Sequence, residues 1–185
     1  MSTPRIPPPA LLVISVLAAE WETFEAEVLE PLVARFGELL HMSEPMAFSE
    51  TSYYDEELGS PLSRRLLAFY TLQPMDCLPE VKTWCNELEA ALARPDGNRI
   101  FNLDPGLLTL ERLVLATGKN FTHRIYLGQG IWGDLTLIFT KGDWLSFPWT
   151  FDDYASASML DLLTKLREQY KDRLRDMGLF PVPRP

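Results

Sequence analysis

Two runs rich in β-forming residues, 123–127 and 131–140, stand either side of Gly128-Gln129-Gly130. The spacing predicts a hairpin with a three-residue connection. Leu127 then faces Ile131, Tyr126 faces Trp132, Ile125 faces Gly133, and Arg124 faces Asp134. In that register Ile125, Leu127, Ile131, Leu135, Leu137 and Phe139 share one face, expected to be core. Arg124, Tyr126, Trp132, Asp134 and Thr136 share the other. A slip of one residue would mix the two sets, so the pattern selects this pairing.

The rest of the chain supplies layers for such a hairpin to join. Residues 11–17 read as a buried strand. Trp21, Phe24, Val28, Leu32 and Phe36 recur at helical spacing up to Gly37, with Pro31 expected to bend or split that helix. A second strand is expected over 41–49, a polar aromatic loop over 51–59 and a third strand over 65–72. Val81, Trp84, Cys85, Leu88 and Leu92 form a helical stripe with Pro79 in its first turn, and a fourth strand follows over 99–103. The order βαββαβ predicts an α+β fold with a ferredoxin-like split βαβ core, extended by the antiparallel hairpin and a C-terminal helix. That last helix is expected to be capped by Ser158, with a stripe of Leu162, Leu163, Leu166, Tyr170 and Leu174. Between them 105–116 has two readings. Asp104 as an N-cap and Pro105 in a first turn favour a short helix closed by Gly118; a strand over 113–117 is the alternative.

A chain of 185 residues suits one domain over 1–185, with loosely ordered ends at 1–9 and 179–185. The net charge of −9 argues against nucleic acid or an anionic membrane as partner. Within 99–126, however, Arg99, Arg112, Lys119 and Arg124 outnumber Asp104 and Glu111, leaving a basic island at +2. Cys77 and Cys85 fall in or beside one helix, where no bridge is expected, and the cysteine usage suits a reducing cytoplasm. Residues 10–18 are apolar but too short to span a bilayer. There is no zinc, haem or Rossmann dinucleotide signature.

The ionisable residues of 99–149 stand beside Pro, Gly and β-branched neighbours, and these are the candidates for chemistry. Arg124 could grip a phosphate or carboxylate with its planar fork while Asp134 orients it; the plainer alternative is a structural ion pair. Asp104 at a strand end is a candidate catalytic or Mg²⁺-holding acid, or else a turn former. His123 is a candidate acid or base. Arg112 and Lys119 add positive charge. Tyr126 could stack on a base, or simply pack across strands. Tyr53 and Tyr54 stand on a loop able to fold over a pocket.

Five motifs together resemble one family, over nearly the whole chain. They are Thr51-Ser52-Tyr53-Tyr54-Asp55-Glu56-Glu57-Leu58-Gly59, Asn102-Leu103-Asp104-Pro105-Gly106, Thr109-Leu110-Glu111-Arg112-Leu113-Val114-Leu115-Ala116-Thr117, His123-Arg124-Ile125-Tyr126-Leu127-Gly128-Gln129-Gly130-Ile131, and Trp149-Thr150-Phe151-Asp152-Asp153-Tyr154. The chain resembles the DUF4416 family of uncharacterised bacterial proteins. The family pattern has Tyr-Ala-Glu where this chain has Trp132-Gly133-Asp134, so the acid here is one carbon shorter. The resemblance implies that Asp104, His123, Arg124 and Tyr126 matter together, and it assigns no reaction. The expected function is binding of an anionic small molecule, a nucleotide or phosphorylated metabolite, near Asp104, Arg124 and Asp134. The alternative is a non-catalytic interaction or regulatory module with a protein partner, in which the motif residues brace the fold.

Overall fold

The computed structural model describes residues 3–48 and 54–181. Its elements, in chain order, are β1 (Leu11–Ala18), α1 (Trp21–Glu27), α2 (Leu29–Phe36), β2 (Leu39–Met42), β3 (Met46–Ala47), α3 (Asp55–Leu58), β4 (Ser63–Phe69) and α4 (Leu78–Ala91). Then follow β5 (Phe101–Leu108), β6 (Arg112–Thr117), β7 (Arg124–Gly128), β8 (Ile131–Thr140), β9 (Asp143–Ser146) and α5 (Ala157–Asp176).

Every residue of β1 is buried, because β1 is central and covered on both faces. That is why it reads as an unbroken apolar run rather than an alternating one. Among the described residues the strands form one nine-stranded antiparallel sheet with the order β2-β4-β1-β5-β6-β8-β7; β3 adds to β4 and β9 to β8. Each helical crossover therefore joins strands separated by one antiparallel neighbour: β1 to β2 across β4, and β4 to β5 across β1.

The two sheet faces carry different cores. Leu12, Ile14 and Val16 of β1 pack with Phe24, Leu32, Phe36, Val81 and Cys85 from α1, α2 and α4. Leu11 and Val13 point the other way, onto Met159, Leu163, Leu166, Tyr170 and Leu174 of α5. The period-2 alternation of the strand meets the helical period of α5 along this seam. The 21–36 helix is split at Val28, which places Pro31 in the first turn of α2, where its missing N–H costs no helical bond.

Several sequence expectations are corrected. The preferred short helix over 105–116 is strand instead: β5 runs through Asp104, Pro105 and Gly106, and β6 returns antiparallel to it. Burial of Leu103, Leu107, Leu108, Leu113 and Leu115 within the two cores outweighs the local Asp-Pro-Gly turn preference. The expected 41–49 strand is two pieces, β2 and β3, and its residue 49 lies outside the described residues. The helix cap is Ser156, whose hydroxyl accepts from the Met159 N–H, not Ser158.

The hairpin pairs Arg124 with Asp134, Ile125 with Gly133 and Tyr126 with Trp132, as the alternation requires. A bulge then sets Gly128, not Leu127, opposite Ile131. The expected apolar face of β7 is not core. Ile125 is 70% exposed and Leu127 40% exposed, because β7 is an edge strand. A second irregularity lies in β8: Leu113 pairs with Leu137 but Val114 with Leu135, so Thr136 is an extra residue. The strand changes sides there. Ile131 joins the core under α1, α2 and α4, whereas Leu137 joins the α5 core.

The feature that positions the site is a fork between β5 and β6. They pair only through Gly106, Leu107 and Leu108; beyond that point β6 follows β8. Leu103 instead turns its N–H and C=O to side chains of α4. Pro105 is two residues on, so its absent N–H would face the same gap and no ladder bond is lost there. At the crotch a Cβ on Gly106 would lie 2.7 Å from Leu115 Cδ2 and 2.8 Å from the Val114 carbonyl oxygen. The backbone oxygen cannot swing away as a side-chain tip can. Gly106→Ala is therefore expected to destabilise the fold by about 1–3 kcal/mol, the usual cost of overpacking. A lower urea midpoint at an unchanged m-value is the expected reading, and wild-type stability would mean the strands are not tightly joined there.

Candidate functional site

Beyond the fork, the α5-side face of the sheet is polar. A cavity of about 960 Å³ opens there. Five basic side chains line it, Arg64, Lys82, Arg99, Lys119 and Arg124, together with the carboxylates Asp104, Asp134, Asp152 and Asp153. The segment ahead of α5, including Trp149 and Phe151, forms one wall, and Phe48 and Tyr54 contribute another.

The split edge of β5 organises one half of the cavity. Lys82 and Glu89 lie seven residues apart on α4, hence on the same helical face. Lys82 Nζ donates to the Leu103 carbonyl (2.6 Å) and to Asp104 Oδ1 (3.1 Å). Glu89 Oε1 accepts the Leu103 N–H (2.6 Å). Two helix side chains thus replace the missing strand, satisfying backbone groups that could not stay buried unpaired. The chain of bonds continues outward. Arg99 Nη1 donates to Glu89 Oε2 and to Asn102 Oδ1, each at 2.8 Å, and its Nε and Nη2 grip both oxygens of Glu57. Asn102 Nδ2 donates to Asp104 Oδ2 (2.6 Å).

These contacts set the charges. Burial pushes the Asp104 carboxyl up, but the Lys82 and Arg64 charges and the Lys82 and Asn102 hydrogen bonds outweigh it and hold it below the usual range. Hydrogen bonds from Arg99 lower Glu57 in the same way. Burial raises Glu89 despite Lys82 and Arg99. Lys82 stays a cation: burial opposes its charge, and Asp104 and Glu89 more than compensate. Arg64 is buried between the rings of Phe48 and Tyr154, with Nε 2.5 Å from Asp153 Oδ2.

The other half is built on β7 and β8. Asp134 Oδ2 accepts from Arg124 Nε (2.9 Å) and lies 2.9 Å from His123 Nε2. A carboxylate can only accept, so Nε2 carries the hydrogen of this bond. Among the described residues His123 Nδ1 is buried without a hydrogen-bond partner. Arg124 Nη1 donates to the Lys119 carbonyl (2.9 Å), which sets Lys119 next to it. Trp149 Nε1 and Thr150 Oγ1 donate to the Leu135 and Thr136 carbonyls at the β8 bulge. The bulge is thus what anchors the wall segment to the sheet.

Of the sequence candidates, Asp104, Lys119, Arg124, Asp134 and Tyr54 come together on the cavity. His123 stands directly behind it on Asp134. Two candidates are elsewhere. Arg112 is exposed and pairs with Ile138, on the stretch of β6 and β8 away from the fork. Tyr126 packs against Trp132 on the exposed edge strand, and its hydroxyl accepts the Gly130 N–H. Tyr53 lies outside the described residues. Arg99, a member of the basic island, also lines the cavity, whereas Arg64, Lys82 and Glu89 are not singled out by the sequence. Lys82 and Glu89 did leave a trace: both interrupt the otherwise apolar stripe of Leu78, Val81 and Cys85 on α4. Among the described residues no group of three or more His, Cys, Asp or Glu side chains is placed to hold a metal ion.

Removing one partner of a buried pair strands the other. Lys82→Ala is expected to cost about 3 kcal/mol, with part of the loss recovered in Lys82→Met combined with Asp104→Asn; urea unfolding measures both. The lowered Asp104 and Glu57 contribute stability in full above the ordinary carboxylate range near about pH 4, and it is lost as the pH falls through their lower folded values. Glu89, being raised, acts in the opposite sense and is favoured by protonation. Unfolding midpoints should therefore drop below about pH 4, less steeply in Asp104→Asn.

No helix among the described residues is long and apolar enough to cross a membrane. No curated protein and no solved structure matches the chain. One family model does, described as a domain of unknown function (DUF4416), over residues 8–170 of 185. The chain belongs to the DUF4416 family.

Proposed function

We propose that this protein binds a small anionic molecule, a nucleotide or a phosphorylated metabolite, in the cavity at the β5–β6 fork. One observation carries the proposal. Asp104 of β5, Lys119 of the β6–β7 connection, Arg124 of β7 and Asp134 of β8 converge on a cavity of about 960 Å³. That volume suits a small organic ligand. Arg124 and Lys119 neutralise the anion, and Asp134 holds the Arg124 fork in place from behind. Asp104 and Asp134 are each engaged by a cation of the protein, so a divalent ion such as Mg²⁺ would arrive with the ligand's phosphates. If the site also turns its ligand over, His123 and Asp104 are its acid–base candidates.

The architecture we propose is a single ferredoxin-like domain. The order β2-β4-β1-β5, with both crossovers split by an antiparallel strand, supports it. The free cysteines, Cys85 buried and pushed up to about 12 by that burial, support a cytoplasmic setting.

A ligand that binds only the native state raises its melting temperature. A thermal-shift screen of nucleotides and sugar phosphates, with and without Mg²⁺, is expected to give at least one stabilising compound, and Arg124→Ala is expected to abolish the shift. Arg124→Ala with undiminished binding would overturn the proposal. A second reading, a non-catalytic interaction module, is favoured by the mutual pairing of the cavity charges. A stoichiometric protein complex from cell extract, with no stabilising small molecule, would select it.

A further inference from the structure

The cavity's aromatic residues differ in what their faces already touch. Trp149 is 36% exposed but already stacked, on Phe147 at 4.8 Å and on His123 at 4.7 Å, with interplanar angles of 6° and 9°. Phe48 and Tyr154 both hold the Arg64 guanidinium. Tyr54 lies against Phe48. Phe151 alone of these lining aromatics makes no ring contact among the described residues, and it is 62% exposed.

Phe151 is also held in register with the cationic rim. It stands two residues beyond Trp149, whose Nε1 is tied to the Leu135 carbonyl of β8 and whose ring rests on His123. His123 shares the Asp134 carboxylate with Arg124. One frame therefore carries an open aromatic face and the Arg124–Lys119 pair. A cavity of about 960 Å³ is also far larger than a phosphate or a sugar phosphate fills.

We propose that Phe151 is the stacking platform for the planar base of a nucleotide whose phosphate lies against Arg124 and Lys119. The inference rests on the anion-binding function above and narrows the ligand class. It moves the stacking role from Tyr126, which packs on Trp132 at the sheet edge, to Phe151. Stacking is tolerant of base identity, since every base offers a π-face, so purine nucleotides should bind with similar strength. Specificity among bases is not demanded of the platform.

Isothermal titration calorimetry with adenosine 5′-monophosphate, guanosine 5′-monophosphate and ribose 5-phosphate tests this. On the wild-type chain both nucleotides are expected to bind about tenfold or more tightly than ribose 5-phosphate, the worth of one stacked base. Phe151→Ala should erase that difference while leaving ribose 5-phosphate binding unchanged, and Phe151→Trp should keep it. Equal binding of ribose 5-phosphate and the nucleotides, or a preference that survives Phe151→Ala, overturns the platform and leaves the anion site standing. Absence of binding by all three, together with no stabilising anion in the thermal screen, overturns both.

Discussion

The fold depends on how the open side of β5 is satisfied where β6 leaves it. A central strand cannot keep bare N–H and C=O groups in a dry interior. Here Lys82 and Glu89 of α4 reach into the gap and bond both polar groups of Leu103. Burying two ionic side chains is costly unless each finds partners. Asp104, Asn102, Arg99 and Glu57 supply them in turn, so the repair of one strand edge grows into a polar network reaching the surface. The gap that needed repair is also the space that becomes the cavity.

The β8 bulge does the corresponding work on the opposite wall. With Thr136 inserted, Asp134 and Leu137 both point to the α5 side, one into the cavity and one into the core. An unbroken alternation would have put them on opposite faces. The carbonyls at the bulge are taken by Trp149 and Thr150, and those bonds bring the aromatic segment over the site. Asp134 is then a hub for His123 and Arg124, buried on the sheet rather than free at its surface. Charges fixed by their neighbours in this way lose little freedom when a ligand arrives, which favours recognition by position.

Much of the outline was legible because it rests on period. The continuous apolar run of β1, the helical stripes of α4 and α5, and the pairing of Arg124 with Asp134 all follow from side-chain spacing. The misreadings have a shared cause. Asp104, Pro105 and Gly106 are strong turn formers locally, yet they lie in a strand because burial between two cores outweighs local preference. Ile125 and Leu127 look like core residues, yet stand at an edge that no helix covers. Of the site, the residues on β5, β7 and β8 were visible as charges in β-rich surroundings. Arg64 was not, since nothing in its own neighbourhood shows which distant carboxylate it meets, and Arg99 was visible only as a charge of the basic island, not as the partner of Glu57 and Glu89.

By itself the sequence determined the periodic elements, the hairpin register up to Tyr126 and the location of a basic island in an acidic chain, because each is a local property of spacing or composition. Only the tertiary structure decided that β5 meets β6 no earlier than Gly106, that α4 mends the gap, and that Asp104, Arg124 and Asp134 look into one cavity. Those outcomes come from competition among buried surfaces and unpaired backbone groups of segments distant in the chain, and no window of neighbouring residues contains that competition.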